Sequence, residues 1–501
     1  MANKVLKAKG ETDLTKSLFS VKDEADKSVY TKQKLDTISK GLTAQYGVDP
    51  STQIDGGALR PESLDQDIKQ VTYGSQDFTI YNDLVRVPAN NTVEKYIVYY
   101  DHGRAGHERF QAEIGIGRQT NPHLKQKTVN MKYLSAASET SMVLAAANTV
   151  EDPIAVQELG AINVLAKTIE WAIFYGDSDL TKGEPGSGLQ FDGISKLIDP
   201  GNVVNWHGKN LTPALLNQAA VMIGKKGYGV ATDAYMPIGV KADFVNKYLG
   251  AQRVLIPTAN GDLTAGFNIA AFNSARGTIR LNGSTIMDLD NELDESKLPV
   301  QGAPLAPTVT AEVVTDANGE FLADDLKEDD RVVVPKEVGT ELEYRVVASG
   351  TAGDSQPSDI VKATPANATD GIKLSIKLDK FSVEAPDYVA IYRKSLIAGH
   401  EDTFYLVGKV AMNKMSADGT IEFTDVNDTI AGTTDVFVME RTPEVIRLFE
   451  FTPMTKLQLA IVTNAIPFAI LWQGALQLGY PKRVVRIKNV RYADGTDELK
   501  F

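Results

Sequence analysis

Residues 152–177 read DPIAVQELGAINVLAKTIEWAIFYGD, and they give the strongest local signal in this chain of 501 residues. Asp152 suits the N-cap of a helix, Pro153 suits its first turn and Gly176 suits its end. Between these points apolar residues recur at helical spacing, namely Ile154, Leu159, Ile162, Leu165, Ala166, Ile169, Ala172 and Ile173. The pattern predicts a helix over 152–176 of about 35 Å, which is long for a globular protein.

The segment before this helix is rich in strand-forming residues. Residues 78–87 and 92–100 predict two strands joined by a turn at 88–91, and residues 124–134 predict a returning strand. A polar, glycine-dotted loop over 101–123 connects the last two. Together they predict a projecting two-stranded arm. Such an arm cannot bury a face alone, so it implies a neighbour on which it lies.

The segment after the helix alternates helix and strand signals. Thr212-Pro213 opens a predicted helix to about residue 224, followed by a strand over 234–240, a helix over 241–249 and a strand over 278–287. Residues 441–492 resume this character and end in a basic run. These patterns predict an α+β fold.

The net charge of −13 is concentrated in residues 303–440, which hold 25 acidic and 12 basic residues, so the remaining chain is formally neutral. Seven short predicted strands fall inside this segment, at 308–314, 330–334, 341–348, 371–378, 387–393, 403–410 and 420–425. Seven strands with regular turns indicate a β-sandwich. Residues 342–365 resemble the end of a fibronectin type III module, but further strands follow, so we expect an immunoglobulin-like sandwich inserted into the α+β domain.

Composition and motifs exclude several classes of protein. The chain has no cysteine, which excludes disulfides, thiolate metal sites and cysteine nucleophiles. It has no phosphate-binding loop, no nucleophile elbow and no HExxH pair, so we predict no enzyme, no catalytic residues and no cofactor. The N-terminus lacks the apolar run of a signal peptide. Residues 457–478 are the most apolar stretch, but polar residues interrupt it, so we expect buried core, no membrane contact and a cytoplasmic location during synthesis.

Four charged or histidine-rich groups have two interpretations each. His102, His107 and His123 could form a metal site or belong to a solvated loop, and the latter is favoured because their spacing fits no standard site. The acidic run is read as a solvated surface rather than a calcium site; it comprises Asp324, Asp325, Glu328, Asp329 and Asp330. Glu151 and Asp152 suit a helix N-terminus better than acid–base catalysis. We therefore predict no metal ligand.

The fourth group is the basic run 482–491, which could touch nucleic acid or acidic neighbours. It alternates with apolar residues, so a half-buried strand with a basic outer face is favoured. Residues 1–45 are lysine-rich, with apolar residues at helical spacing over 14–21 and 35–42. Short amphipathic helices, a flexible arm and a disordered tail all remain open for this segment.

The order of parts resembles that of tailed-phage major capsid proteins with the Hong Kong 97 fold, above all those of large contractile-tailed phages of Gram-positive hosts. Specific stretches carry the resemblance: TQID at 52–55, GALR at 57–60, QKTV at 126–129, MKY at 131–133, AKTIEWA at 166–172, FYGD at 174–177, ATDAYMPIGV at 231–240, LW at 471–472 and RIKNVRY at 486–492. The resemblance covers about residues 45–492.

The resemblance implies a domain plan. Residues 1–45 would be an N-terminal arm, possible cleaved or scaffolding segment, 46–77 the N-arm, and 78–135 an E-loop lying over an adjacent subunit. Residues 136–202 would be the peripheral domain with spine helix 152–176. Residues 203–302 would be the axial domain, 303–440 the inserted sandwich, and 441–501 a return to the axial and peripheral core.

The resemblance also implies a structural role. Copies would form hexamers and pentamers that tile an icosahedral shell around double-stranded DNA, which they would contact non-specifically on the inner face. Further implied partners are a portal protein and possible scaffold, protease or decoration proteins. The expected location is the virion capsid, with assembly in the host cytoplasm. The acidic insertion suits the outer surface, because phosphate would repel it on the inner wall.

Two other functions were weighed against this one. The inserted sandwich alone would suit a cell-surface adhesin or surface-layer protein, but the absent signal peptide argues against that. An enzyme is suggested only by the α+β domain, and no triad, phosphate loop or metal cluster supports it.

Overall fold

A computed structural model provides the fold, and it describes residues 4–5, 20–21, 77–101, 110, 113–115, 121–146, 152–180, 188–249, 269–288, 291–294, 299, 302–329, 332–350, 353–378, 386–397, 403–416, 418–461 and 463–491. The chain divides into two units, of which the first is Met1–Gln70 with Asn148–Asp152. In that unit, strand β1 (Lys4–Val5) pairs antiparallel with β2 (Ser20–Val21). Val21 therefore lies in a strand, not in the predicted helix. The other predictions for residues 1–76 lie outside the described residues.

The second unit contains the other elements. Its helices are α1 (Thr79–Asp83), α2 (Met142–Ala146), α3 (Pro153–Tyr175), α4 (Ile194–Leu197), α5 (Pro213–Gly227) and α6 (Ile238–Leu249). Its strands are β3 (Arg86–Pro88), β4 (Val93–Asp101), β5 (His123–Asn130), β6 (Lys132–Ser141), β7 (Val203–Lys209), β8 (Asp233–Pro237), β9 (Ala271–Ser274), β10 (Gly277–Ser284), β11 (Thr308–Val314), β12 (Leu326–Asp329), β13 (Val332–Val334), β14 (Leu342–Gly350), β15 (Gly353–Asp354), β16 (Val361–Ala363), β17 (Gly371–Lys377), β18 (Tyr388–Lys394), β19 (Phe404–Ala411), β20 (Thr420–Asp425), β21 (Thr433–Met439), β22 (Ile446–Gln458), β23 (Ala465–Leu478) and β24 (Val484–Arg491). The α+β prediction is confirmed, with more strand than helix.

Helix α3 confirms the prediction for 152–176 almost to the residue. Its second half is buried through Leu165, Ala166, Ile169 and Ile173. Leu159, predicted to lie on the buried stripe, is 55% exposed. The reason is that the apolar core covers the helix only from Ala161 onward.

The part of the second unit outside the inserted module is called the body. At its centre lies a six-stranded mixed sheet in the order β7-β24-β21-β8-β10-β9. Alternate residues of its central strands enter two different cores. Ala234 and Met236 of β8 face the core that contains α5 and α6, whereas Tyr235 faces the core that contains the end of α3. Burial on both faces explains why all five residues of β8 are buried. Thr212 caps α5, as predicted, by accepting a hydrogen bond from the Leu215 backbone N–H at 3.3 Å.

Strand β21 corrects the predicted limits of the insertion, 303–440. It pairs with β8 and with β24, so residues 433–439 belong to the central sheet of the body. Residues 303–432 hold 23 acidic and 12 basic residues, and they keep most of the net charge. Asp435 and Glu440 fall outside the corrected limits of the insertion, and each forms an ion pair with an arginine of the body.

The inserted module packs two main sheets around one apolar core, and β12 and β13 pair as a separate two-stranded sheet. One sheet has the order β11-β17-β20, and in the other β14 lies between β18 and the short strands β15 and β16, with β19 beyond β18. The shared core includes Tyr344, Ile372, Leu374 and Ile391. All seven predicted strands have counterparts, although the second is reduced to Val332–Val334. The arrangement is a β-sandwich, and its immunoglobulin-like classification stays a prediction.

A four-stranded sheet, β3-β22-β23-β6, packs against α3. Two predictions are wrong here. Residues 78–87, predicted as one strand, form α1 and then the short strand β3, which pairs in parallel with β22. Residues 457–478, predicted as buried core, instead run through an exposed hairpin end before β23 enters the core at Phe468. Among the described residues, no helix combines the length and hydropathy needed to span a membrane.

Candidate interaction surfaces

Strands β4 and β5 form the predicted two-stranded arm, limited to Val93–Asp101 and His123–Asn130. The prediction of 78–135 was too wide, because residues 79–88 and 132–135 belong to the body. Val93 and Ile97 share one face of the arm with Leu124, whose strand partner is Tyr99. All three are exposed, and Ile97 keeps 69% of its surface. This face therefore presents three apolar side chains to solvent, with Lys95, Gln126 and Thr128 exposed among them.

The other face of the arm lies on the body at its base. The Tyr96 hydroxyl donates a hydrogen bond to the Leu478 carbonyl at 3.2 Å. Val98 is buried, and Val129 packs against the core around the end of α3. The body thus holds the arm on one face and leaves the opposite face uncovered.

The root of the arm is the five-residue helix α1, whose N-terminal end is held by Glu170 of α3. Glu170 Oε1 accepts from the Thr79 N–H at 3.1 Å, the Thr79 hydroxyl at 2.8 Å and the Ile80 N–H at 3.1 Å. Oε2 accepts from the Tyr81 N–H at 2.7 Å. A carboxylate satisfies the free N–H groups of a helix start and matches its partial positive charge.

Glu170 is fully buried, with 0% of its surface exposed. Burial raises the pKa of the Glu170 carboxyl, and the four hydrogen bonds oppose that effect only in part. The sequence carried a signal that we did not use: Glu170 sits among Ala166, Ile169 and Ile173 on the apolar face of α3. A charged residue at a core position indicates a specific buried partner.

The C-terminal end of α1 is held by the six-stranded sheet. Asp83 Oδ2 accepts from the Tyr235 hydroxyl at 2.8 Å and also pairs with the Arg280 guanidinium. The Asp83 carbonyl accepts from Arg441 Nη1 at 2.8 Å. Both arginines also contact Asp233, with Nε–Oδ distances of 2.8 Å for Arg280 and 3.1 Å for Arg441.

The charge balance at Asp233 favours its ionised form. Burial acts against the charge, but the Thr232 hydroxyl and the two guanidinium groups outweigh it and lower the pKa of the Asp233 carboxyl. Helix α1 is therefore held at one end by α3 and at the other by the central sheet. This double attachment fixes the direction in which the arm leaves the body.

The turn that follows α3 relies on close backbone packing. The Gly193 N–H donates to the Gly176 carbonyl at 2.7 Å. A Cβ on Gly193 would lie 2.6 Å from the Ala172 carbonyl oxygen, so a larger residue would push the turn away from the helix. Lys196 of α4 holds the turn through three carboxylates: Asp177, Asp179 at 2.7 Å and Asp192 at 3.0 Å.

The basic run at the end of the chain is paired with acids. Arg483 binds Glu440 at 3.2 Å, Arg486 binds Asp435 at 2.7 Å, and Lys488 pairs with Asp428. The apolar residues of β24 are buried, and no residue of the strand is exposed, so β24 is more deeply buried than the predicted half-buried strand with a basic outer face. Since these three side chains are engaged within the chain, they do not form an open basic surface for nucleic acid.

Other predicted candidates have separate outcomes. His123 begins β5 and is exposed, while His102 and His107 lie outside the described residues. Asp324 and Asp325 are exposed, and Asp325 Oδ1 accepts from the Lys336 N–H at 2.8 Å. Within the described part of the chain, no group of histidine, aspartate and glutamate residues could hold a metal ion.

The inserted module contains a buried charged cluster that sequence reasoning missed. Arg393 of β18 has 1% of its side chain exposed, and it binds Asp425 of β20 at 2.9 Å and Glu337 at 3.2 Å. The Tyr344 hydroxyl of β14 also donates to Asp425, at 2.8 Å. Asn427 accepts from Arg393 at 2.7 Å and completes the cluster. Since β20 lies in one sheet and β14 and β18 in the other, the cluster joins the two sheets.

Comparison with known proteins gives a consistent result. The chain is 45% identical over 463 residues to the major capsid protein of Staphylococcus phage K, covering 92% of this chain and 96% of that protein. It is 47% identical over 456 residues to a protein of Enterococcus phage phiEF24C assigned as a major capsid protein, covering 91% and 95%. No family model matches the chain.

Solved structures give a more distant likeness. A solved structure of Microbacterium phage Oxtober96 has a TM-score of 0.43 and 9% identity over 88% of this chain and 99% of that chain. The capsid of a native GTA particle has a TM-score of 0.41 and 10% identity, again over 88% and 99%. Both TM-scores lie below 0.5.

Proposed function

The chain belongs to the family of phage major capsid proteins, and we propose that its copies form hexamers and pentamers that tile an icosahedral shell around double-stranded DNA. The observation that carries the proposal is the identity of 45% over 92% of this chain to the capsid protein of Staphylococcus phage K. A match that spans nearly both chains covers the arm, the body and the inserted module together.

Membership of this family establishes that the protein is a structural subunit of a virion capsid and that it associates with copies of itself. The relatives are structural proteins, which confirms the prediction that the chain is not an enzyme. For the finer architecture we propose the Hong Kong 97 fold, with α3 as the spine helix, the four-stranded sheet in the peripheral domain and the six-stranded sheet in the axial domain.

In the proposed shell the arm lies over an adjacent subunit. The support is the strip of Val93, Ile97 and Leu124, which the body leaves uncovered on a two-stranded ribbon. Covering this strip would bury apolar surface worth about 25 cal/mol per Å². The double attachment of α1 supports the same role, because an arm that must meet a neighbour gains from a fixed direction.

We propose that the inserted module faces outward. Its net charge of −11 over residues 303–432 would be repelled by packaged DNA on the inner face. Decoration proteins are its proposed partners there. The portal, a scaffold and a protease remain proposed partners of the whole subunit, and residues 1–45 remain the proposed cleaved or scaffolding segment. Assembly is proposed to take place in the host cytoplasm.

Electron microscopy of the purified full-length protein tests assembly. We expect rings of five and six subunits, or closed shells, under conditions that promote association. A protein that stays monomeric across a range of salt and crowding conditions, while remaining folded by circular dichroism, would overturn the proposal.

Deleting the module tests its outward position. The deletion must stop at 432, because β21 begins at Thr433 and holds the central sheet together. Replacing 303–432 with a short glycine–serine linker should preserve assembly. Loss of capsomers from a folded deletion variant would place the module at an interface between subunits instead.

A further inference from the structure

The contact region between the inserted module and the body, here called the seam, is not a continuous apolar core. The apolar core of the module shares no residue with the two large cores of the body among the described residues. Backbone hydrogen bonds join the two parts at one place, where the Leu293 N–H donates to Phe404 at 2.9 Å and the Leu406 N–H donates to Asn291 at 2.8 Å. These two hydrogen bonds pair β19 with residues 291–293, which belong to the segment that leads into the module.

Several side-chain contacts across the seam are polar. Asn489 of β24 accepts from the Ile430 N–H at 3.0 Å and donates to the Asp428 carbonyl at 3.0 Å. Asn205 of β7 donates to Glu320 at 3.2 Å. A seam of this kind resembles a transient interface between proteins more than a continuous core.

A cavity of about 300 Å³ lies within the seam. Its lining includes the ion pair of Arg486 and Asp435, together with Lys409 from β19. Trp171 and Tyr175 from the last two turns of α3 border it on the body side. The lining therefore combines charged and polar groups with aromatic surface, and a space of this size with polar groups in its wall admits water.

Lys409 provides the contact between the module and α3. Its ammonium nitrogen lies 4.8 Å from the centre of the Trp171 ring and 5.3 Å from the centre of the Tyr388 ring of β18. Both distances are within the range of a cation–π interaction. Trp171 in turn contacts Tyr175, with ring centres 6.3 Å apart, and Tyr175 contacts Phe437 of β21 at 6.0 Å.

We propose that Lys409 is a positioning residue that couples the inserted module to the C-terminal end of α3. The Lys409 ammonium group lies between a ring of the helix and a ring of the module, and the adjacent cavity leaves room for this contact to open and close while the separate apolar cores of the module and the body stay covered. A force or a partner acting on the module therefore reaches the helix end and, through Tyr175, the central sheet.

Hydrogen exchange of the full chain, followed by mass spectrometry, tests the coupling. In Lys409→Met, which keeps the apolar stem and removes the charge, we expect exchange over residues 171–177 to become about fivefold faster. Lys409→Arg keeps the cation and should restore slow exchange. Lys373→Met is the matched control, because Lys373 lies in the module and pairs with Glu422 within the module.

The reverse experiment guards against a variant that merely unfolds the module. Coupling is reciprocal, so Trp171→Phe, which weakens the cation–π contact from the helix side, should speed exchange in β19. The proposal is overturned if Lys409→Met leaves exchange over 171–177 unchanged in a folded protein. It is equally overturned if Trp171→Phe leaves β19 unchanged, or if Lys373→Met has the same effect as Lys409→Met.

Discussion

The arm and the inserted module are both β structures that leave the body, yet they are stabilised in opposite ways. The module closes two sheets over an apolar core of its own and places a fully bonded charged cluster inside it. The arm is a two-stranded ribbon with a strip of exposed apolar residues on one face. Two strands alone are marginal in water, whereas two packed sheets are self-sufficient. The module therefore has a stabilising core of its own, whereas the arm depends on its attachment to the body through α1.

The largest expected effect comes from breaking the cluster inside the module. Arg393→Met removes the buried cation and leaves Asp425 and Glu337 without a counter-charge. We expect the free energy of unfolding of the module to fall by about 3–5 kcal/mol, measured by denaturant unfolding. Lys373→Met, which breaks a surface pair, should cost less than about 1 kcal/mol. Equal midpoints for Arg393→Met and the unaltered protein would show that the cluster does not hold the sheets together.

A smaller effect is expected at the root of the arm. Glu170→Gln places an NH₂ group where one carboxylate oxygen now accepts N–H groups, so a buried donor meets a donor. We expect a loss of about 1–3 kcal/mol, localised to α1 and the arm in hydrogen exchange. Glu158→Gln is the control, because Glu158 lies on the same helix and its pair with Lys456, at 2.6 Å, is partly exposed. Comparable losses in both variants would contradict the special role of Glu170.

The pH dependence of the same contact should be smaller still. Burial raises the pKa of the Glu170 carboxyl in the folded state, so its contribution to stability is fully present below the pKa of the unfolded chain. It is lost as the pH rises through the higher pKa of the folded state. The difference in unfolding free energy between the unaltered protein and Glu170→Gln should therefore grow as the pH is lowered from neutral to below 4.5, the ordinary pKa of a glutamate carboxyl. A difference that is constant or shrinks on acidification would be inconsistent with this sign.

The smallest effect on folding, and the most informative one for assembly, is expected on the open face of the arm. Ile97→Asp changes a side chain that is 69% exposed, so the stability of the single chain should change by less than about 0.5 kcal/mol. Capsomer formation should nevertheless be strongly reduced in sedimentation and microscopy. Val313→Asp makes a similar change on an exposed strand of the module and should leave assembly intact. Normal capsomers from Ile97→Asp would remove the arm from the proposed interface.

The predictions from sequence succeeded where local signals decide the structure. Helix α3 has its cap, its proline, its periodic apolar face and its terminal glycine within one stretch. The strands of the module have alternating residues between clear turns. These features need no knowledge of distant parts of the chain.

The predictions failed where a residue far away in the sequence determines the local structure. Residues 79–81 are strand formers, but Glu170, about 90 positions away, supplies the acceptor that makes a helix start there. The end of the insertion was misplaced because only the pairing of β21 with β8 and β24, which lie elsewhere in the sequence, assigns β21 to the body. The arm root and the buried Arg393 cluster were missed for the same reason, since their partners lie far apart in sequence.

The way the module joins the central sheet also suits the protein to replacement of the module by a foreign domain. Strand β10 precedes the module and β21 follows it, and the two strands flank β8 on opposite sides. Strand β10 is parallel to β8 and β21 is antiparallel to it. The C-terminal end of β10 and the N-terminal end of β21 therefore lie at the same end of the strands, about 10 Å apart. A foreign domain whose termini lie that close together could replace the native one without threading the chain. The particle would then carry a chosen cargo on every copy of the subunit.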